Sequence, residues 1–200
     1  EGFKEKGFLP EAFINLLAVL GWNDGTEQEL FSLEELIEKF SMERVHKGGA
    51  KFDFEKAKWF NHEWIKKLQV ENYQPQIRAL LEAKGIPIAD ENYFMKVIEL
   101  VKDRCSLLTD FYEQAVYFSK TPDILDTDAV KPKWNNEKRD FFKSFISGSD
   151  GLADWDAAAI ESFFKELATQ KNMKPGELQL PMRIMLVGGK YGPAVFTIAE

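Results

Sequence analysis

Residues 32–40 read Ser-Leu-Glu-Glu-Leu-Ile-Glu-Lys-Phe. Ser32 followed three residues later by Glu35 is a reciprocal helix start. The serine hydroxyl accepts from the Glu35 amide, and the glutamate carboxylate accepts from the Ser32 amide. Leu33, Leu36, Ile37 and Phe40 then recur at three- and four-residue spacing, the period of a helix with one apolar side. The same grammar extends in both directions. Upstream, Pro10 opens an apolar-rich run through Phe13, Ile14, Leu16, Leu17 and Leu20, and Gly21 stops it. Downstream, Asp53 is placed to cap a short helix carrying Trp59 and Phe60, with a second helix around Trp64, Ile65 and Leu68. Residues 74–85 read as a helix ended by Gly85 and blocked by Pro87. Asp90 is placed to cap another, through Tyr93, Phe94, Val97, Ile98 and Val101.

Beyond residue 105 the signals continue. A helix is expected to begin near Ser106 and to bury Leu107, Phe111, Ala115 and Phe118. Thr121-Pro122 reads as an N-cap with proline at the first helical position. Ser147-Gly-Ser-Asp-Gly151 reads as the clearest loop in the chain. Asp154 is expected to cap a helix through Ile160, Phe163, Phe164 and Leu167, and Pro175-Gly176 opens a last segment that is apolar from Leu178 to Ile198. No stretch alternates with a period of two long enough to argue for a sheet. The polar, proline-containing stretch 69–75 lies between two apolar-rich blocks and suggests a boundary near residue 70.

Composition limits what such a chain can do. Its 200 residues are 44% hydrophobic, with 17 Phe and 5 Trp, enough for a buried core and far from a disordered composition. No apolar run approaches the ~20 residues a membrane span needs, and the N-terminus lacks the apolar core of a signal peptide. Cys105 is the only cysteine, which excludes an internal disulfide and a multi-cysteine zinc site and fits a reducing, cytoplasmic setting. There is no Walker-type phosphate loop, no GxGxxG fingerprint, and with only His46 and His62 no nucleophile-and-base set. The carboxylates read as solvated helix faces, Cys105 as a small core residue, and His62 as packed or partly exposed. No catalytic residue and no metal ligand is expected. A net charge of −7 suits a helical protein-interaction module; nucleic-acid binding would need a local basic stripe.

Several segments, in order, resemble one family. Gly7-Phe-Leu-Pro-Glu-Ala12 and Asn15-Leu-Leu-Ala-Val-Leu-Gly-Trp22 are similar to the region after the ATP loop of bacterial glutamyl-tRNA synthetases. Phe31 to Ile37, Phe40, Arg44-Val45, Phe52-Asp53, Lys56, Trp59, Asn61 and Ile65 follow at matching intervals. Leu100-Val-Lys-Asp-Arg-Cys-Ser-Leu-Leu108 resembles the anticodon-domain arginine segment, and Leu180-Pro-Met-Arg183, Leu186, Gly188 and Gly192-Pro193 the C-terminal anticodon contacts. The chain departs from the pattern at Lys47-Gly-Gly-Ala-Lys51, where a Ser-Pro-Ala type run is usual, and both ends are expected to lie inside a longer protein.

The resemblance implies an all-α fold: a helical bundle or cage that binds the anticodon, residues 71–200, preceded by the end of a helical stem-contact region, residues 1–70. It implies a part of a class I ligase that attaches glutamate to tRNA(Glu) with ATP and magnesium, those cofactors being bound outside this chain. The implied partner is tRNA(Glu), with no DNA or membrane and a monomeric state. Sequence-specific RNA readers target unstacked loop bases through stacking and edge hydrogen bonds. By resemblance Arg104, Arg183, Gly192, Pro193 and Val195 are the anticodon-site residues, with Lys102, Lys190 and Tyr191 beside them in the sequence. Each has a plainer alternative. Arg104 could be a solvent-exposed arginine or a helix-end charge, and Arg183, in the apolar run 180–187, could snorkel over the core. Tyr191 could stack on a base or simply be an exposed loop residue. Glycines in 188–193 permit close backbone approach. A basic patch formed by 100–104 and 183–193 is expected. Trp59 and Trp64 read as interhelical packing, while Lys56 and Asn61 either touch the tRNA stem or fix a helix turn.

Overall fold

The computed structural model describes residues 2–49 and 51–200, so Ala50 of the divergent 47–51 run, and Glu1, lie outside the described residues. Among the described residues all regular structure is helical, apart from one isolated bridge between Trp22 and Val45. The chain forms two compact units, Glu1–Ala115 and Val116–Glu200. The domain boundary expected near residue 70 falls inside the first of them.

In the first unit, helix α1 (Pro10–Gly21) packs on α3 (Phe54–Lys67) and α2 (Leu33–Lys39). The reciprocal start of α2 is present: Ser32 Oγ accepts from the Glu35 amide at 3.1 Å, and Glu35 accepts from the Ser32 amide at 2.7 Å. Residues 54–67 form one helix, not the expected two, because no glycine or proline interrupts them. Asp53 caps it through the Glu55 and Lys56 amides. Trp64 is buried as expected, whereas Trp59 is 42% exposed, lying on the outer side of that helix with its ring edge on Phe60. Helices α4 (Gln74–Ala83) and α5 (Glu91–Val101) follow, the latter capped by Asp90. Helix α6 (Asp110–Ala115) starts later than expected. The Asp110 carboxylate accepts from the Ser106 and Leu107 amides at 2.8 and 2.9 Å, holding those residues outside the helix. Phe111 and Ala115 are buried, Leu107 and Phe118 only partly.

Two buried asparagines join these elements. Asn15 Oδ1 accepts from Phe31 N at 3.1 Å and Trp64 Nε1 at 3.0 Å, while its Nδ2 donates to the Glu29 carbonyl at 2.8 Å. Asn61 Oδ1 accepts from Leu9 N at 2.7 Å, and its Nδ2 donates to the Ser106 carbonyl at 2.7 Å. Gly7 lies in the same seam at φ +90; a Cβ there would come within 2.7 Å of Thr109 N.

The second unit is built on phenylalanine. Helix α7 (Asn136–Ser149), unexpected from the sequence and capped by Asn135, packs on α8 (Ala157–Gln170) through Phe141, Phe142, Phe145 and Phe164. Phe141 and Phe164 meet edge to face at 5.1 Å. The last turn of α7 occupies 147–149, so the expected loop is partly helical. Gly148 serves there as a contact surface: a Cβ would strike the Phe163 ring at 2.4 Å. The cap of α8 is Asp156, two residues after the expected Asp154. Thr121-Pro122 starts no helix; Pro122 packs against Gly188. Helix α9 (Pro175–Val187) tolerates Pro181 in its interior, and a loop leads to α10 (Val195–Ala199). No helix among the described residues is long and apolar enough to cross a membrane.

Candidate nucleic-acid interface

Arg104 stands on a rigid base. A tight 3-10 turn, Lys102–Arg104, follows directly on α5. Its two flanking residues, Val101 and Cys105, are both fully buried. The Cys105 carbonyl meets His62 Nδ1 at 2.8 Å, and the Ser106 carbonyl is held by Asn61. Between these anchors the Arg104 side chain is exposed, with no hydrogen bond or ion pair among the described residues. A guanidinium carries only donors, so this one is free to bind an acceptor edge or a phosphate. Lys102, on the same turn, is half-buried and paired with Glu99, which partly neutralises it. Cys105 is inert: burial pushes its thiol well above the usual range.

The second unit builds a loop from residues 188–194. Gly188 ends α9 in the left-handed region at φ +81, and its carbonyl accepts from Asp126 N at 2.8 Å. A Cβ on Gly188 would lie 2.7 Å from the Ile124 carbonyl, so this crossing requires glycine. Arg183 Nη1 donates to the Pro193 carbonyl, drawing the far end of the loop onto α9. Gly192 lies against that guanidinium; a Cβ there would be 3.2 Å from Nη1. Gly192, Pro193 and Val195 are buried, so their side chains shape the loop from inside. Tyr191 is 87% exposed at the tip, and Lys190 beside it lies 3.6 Å from Asp126. The sequence residues thus separate into exposed ones, Arg104, Lys190 and Tyr191, and buried or bonded ones that hold them in place. Asn61 belongs to the second kind, and Lys56 pairs with Glu29 at 2.5 Å. The role of Asp110, which holds the Ser106 and Leu107 amides, carries no sequence signal, since an isolated carboxylate in a helical pattern looks solvated.

The first unit thus presents an unpaired arginine on an anchored turn, and the second an exposed loop carrying a tyrosine and a lysine, groups that can donate to and stack on nucleic acid. The comparisons agree. Residues 32–200 match the anticodon binding domain family, and the chain belongs to it. Residues 1–59 match the catalytic domain of class I tRNA synthetases of the E and Q type, so only a small piece of that domain is present. Glutamate–tRNA ligases from Flavobacterium psychrophilum and Flavobacterium johnsoniae are 42% and 41% identical over 199 residues. Each alignment covers all of this chain and 39% of the relative, so the chain spans about two fifths of their length. A crystal structure of a glutamate tRNA ligase from Elizabethkingia meningosepticum, in complex with its amino acid, superposes with a TM-score of 0.88 at 33% identity. It covers 98% of this chain and 39% of that one. The chain is therefore similar to the anticodon-binding portion of glutamate–tRNA ligases.

Proposed function

We propose that this chain reads the anticodon of tRNA(Glu) for a cytoplasmic, monomeric glutamate–tRNA ligase, which joins glutamate to that tRNA with ATP and magnesium. Both cofactors would be bound by the part of the ligase outside this chain. Residues 1–70 would touch the stem and 71–200 the anticodon, a division by RNA contact and not by packing. Arg104, Lys190 and Tyr191 make direct contacts; Arg183, Gly192, Pro193 and Val195 set the loop, and Lys102 adds local positive charge.

The observation that carries this reading is the free guanidinium of Arg104 on its buried base. Glutamate anticodons end in cytosine, which offers the acceptors O2 and N3; glutamine anticodons end in guanine, which presents N–H donors there. A donor fork fits the first and meets donor with donor in the second. By analogy with bidentate base contacts in DNA, such a contact is worth ~1–3 kcal/mol of discrimination. Arg104→Gln should therefore shrink the affinity gap between the two tRNAs by roughly 5- to 150-fold, with melting unchanged because the side chain is exposed. An unchanged ratio in a folded variant would place discrimination elsewhere. Absence of tRNA binding by the parent chain would favour a protein-interaction role.

A further inference from the structure

A cavity of about 500 Å³ opens in the second unit where α7 and α9 begin. Three lysines line it: Lys133 and Lys174, both exposed, and Lys138, only 6% exposed. Lys138 Nζ donates to the Lys133 carbonyl at 2.8 Å, and among the described residues none of the three forms an ion pair. A buried ammonium is ordinarily held by a counter-charge, whereas the partner of Lys138 Nζ among the described residues is a neutral carbonyl. Lys138 is also the third residue of a 14-residue helix, where the partial positive charge of the N-terminus opposes it. Lys174 precedes Pro175 at the start of α9 and meets the same field. Two carboxylates share the lining. Glu137 faces the Asn135 amide at 3.5 Å, and Glu177 lies on the first turn of α9; neither forms an ion pair with Lys138 among the described residues. The side-chain amides of Asn135 and Asn172 complete a polar wall.

We propose that this cavity is an oxyanion site for a phosphate group, supplied in function by the backbone of an RNA strand. The RNA source rests on the reading in the previous subsection; the anion site does not. A phosphate supplies Lys138 with a counter-charge, accepts from its ammonium, and is flanked by Lys133 and Lys174. None of these residues belongs to the loop 188–194 or to the Arg104 turn, so they form an additional contact.

The test has two arms, both on the 200-residue chain. In the first, melting is followed as sodium phosphate replaces sodium chloride at constant ionic strength. The melting temperature should climb with phosphate. Lys138→Met should abolish the climb, and the exposed Lys174→Ala should weaken it. Lys174→Ala decides the matter if Lys138→Met fails to fold. Equal melting in the two salts overturns the proposal, as does a Lys138→Met variant destabilised equally in both, which is what a lysine serving only the Lys133 carbonyl predicts. In the second arm, tRNA affinity is measured against salt. Loss of one phosphate contact should reduce the slope of log K against log salt by about 0.7–0.9 in Lys138→Met. Phosphate stabilisation with an unchanged slope overturns the RNA source and leaves a site for free phosphate. Phosphate stabilisation in a chain that binds no tRNA refutes the anticodon reading while sustaining the site.

Discussion

Asn61 shows how a polar residue in a helix interior can govern a site it does not touch. Its side chain spans three segments, accepting from Leu9 and donating to Ser106, two residues after Arg104. A substitution leaves a buried amide and a buried carbonyl unsatisfied, and each such group costs about 1–3 kcal/mol. Asn61→Ala should therefore lower unfolding free energy by about 2–6 kcal/mol, measured by urea denaturation. Asn61→Asp tests the same point differently: the carboxylate can still accept from Leu9 but turns an acceptor toward the Ser106 carbonyl, so it should be destabilising too. A loss under about 0.5 kcal/mol for Asn61→Ala, the usual effect of a surface change, would return Asn61 to the role of a stem-contact residue. The sequence offered both readings; burial and hydrogen bonding select the structural one for the unbound chain.

Helix boundaries separate what local chemistry reveals from what tertiary packing decides. Caps at Ser32, Asp53 and Asp90 were legible because the capping oxygen and the amides it serves lie within three residues. Between Asp154 and Asp156 that logic is ambiguous, since either could precede the same apolar run. The structure places Asp156 Oδ1 2.8 Å from the Ala159 amide. Asp156→Ala should cost about 0.5–2 kcal/mol of stability, while Asp154→Ala should stay within about 0.5 kcal/mol. Thermal or urea melts of the two variants compare them directly, and the reverse order would shift the helix start to Asp154. The end of α7 was illegible for another reason. Ser147-Gly148-Ser149 has loop composition, yet its glycine is there because the helix packs against a ring from α8: Phe163 occupies the space where any other residue's Cβ would stand. Thr121-Pro122 fails in the opposite sense. It has the local signature of a helix start, but its proline is used against Gly188.

At the scale of the molecule, the net charge of −7 and the proposed polyanionic partner are in tension. Long-range attraction cannot assemble the complex; local cations must do so against a repulsive background. The structure shortens the supply further, since Lys56 and Lys102 are tied to Glu29 and Glu99, and Lys190 is shared with Asp126. Arg104, a partly engaged Lys190 and the lysines around Lys138 are the proposed phosphate or base contacts. The family pattern made the proposed contact residues legible, but not their exposure or pairing, because those depend on partners far away in the chain. Each phosphate contact contributes about 0.7–0.9 to the slope of log K against log salt. Three contacts predict a slope of about −2 to −3, so raising salt from ~50 to ~200 mM should weaken tRNA binding by roughly 20- to 60-fold. Basic nucleic-acid binders with many contacts lose ~10³–10⁵ over the same range. The measurement is a salt titration of tRNA affinity with the purified chain. A slope steeper than about −6 would require a basic surface beyond these residues. A slope near zero would show that phosphates contribute little, and would confine recognition to the base contact at Arg104 and stacking on Tyr191.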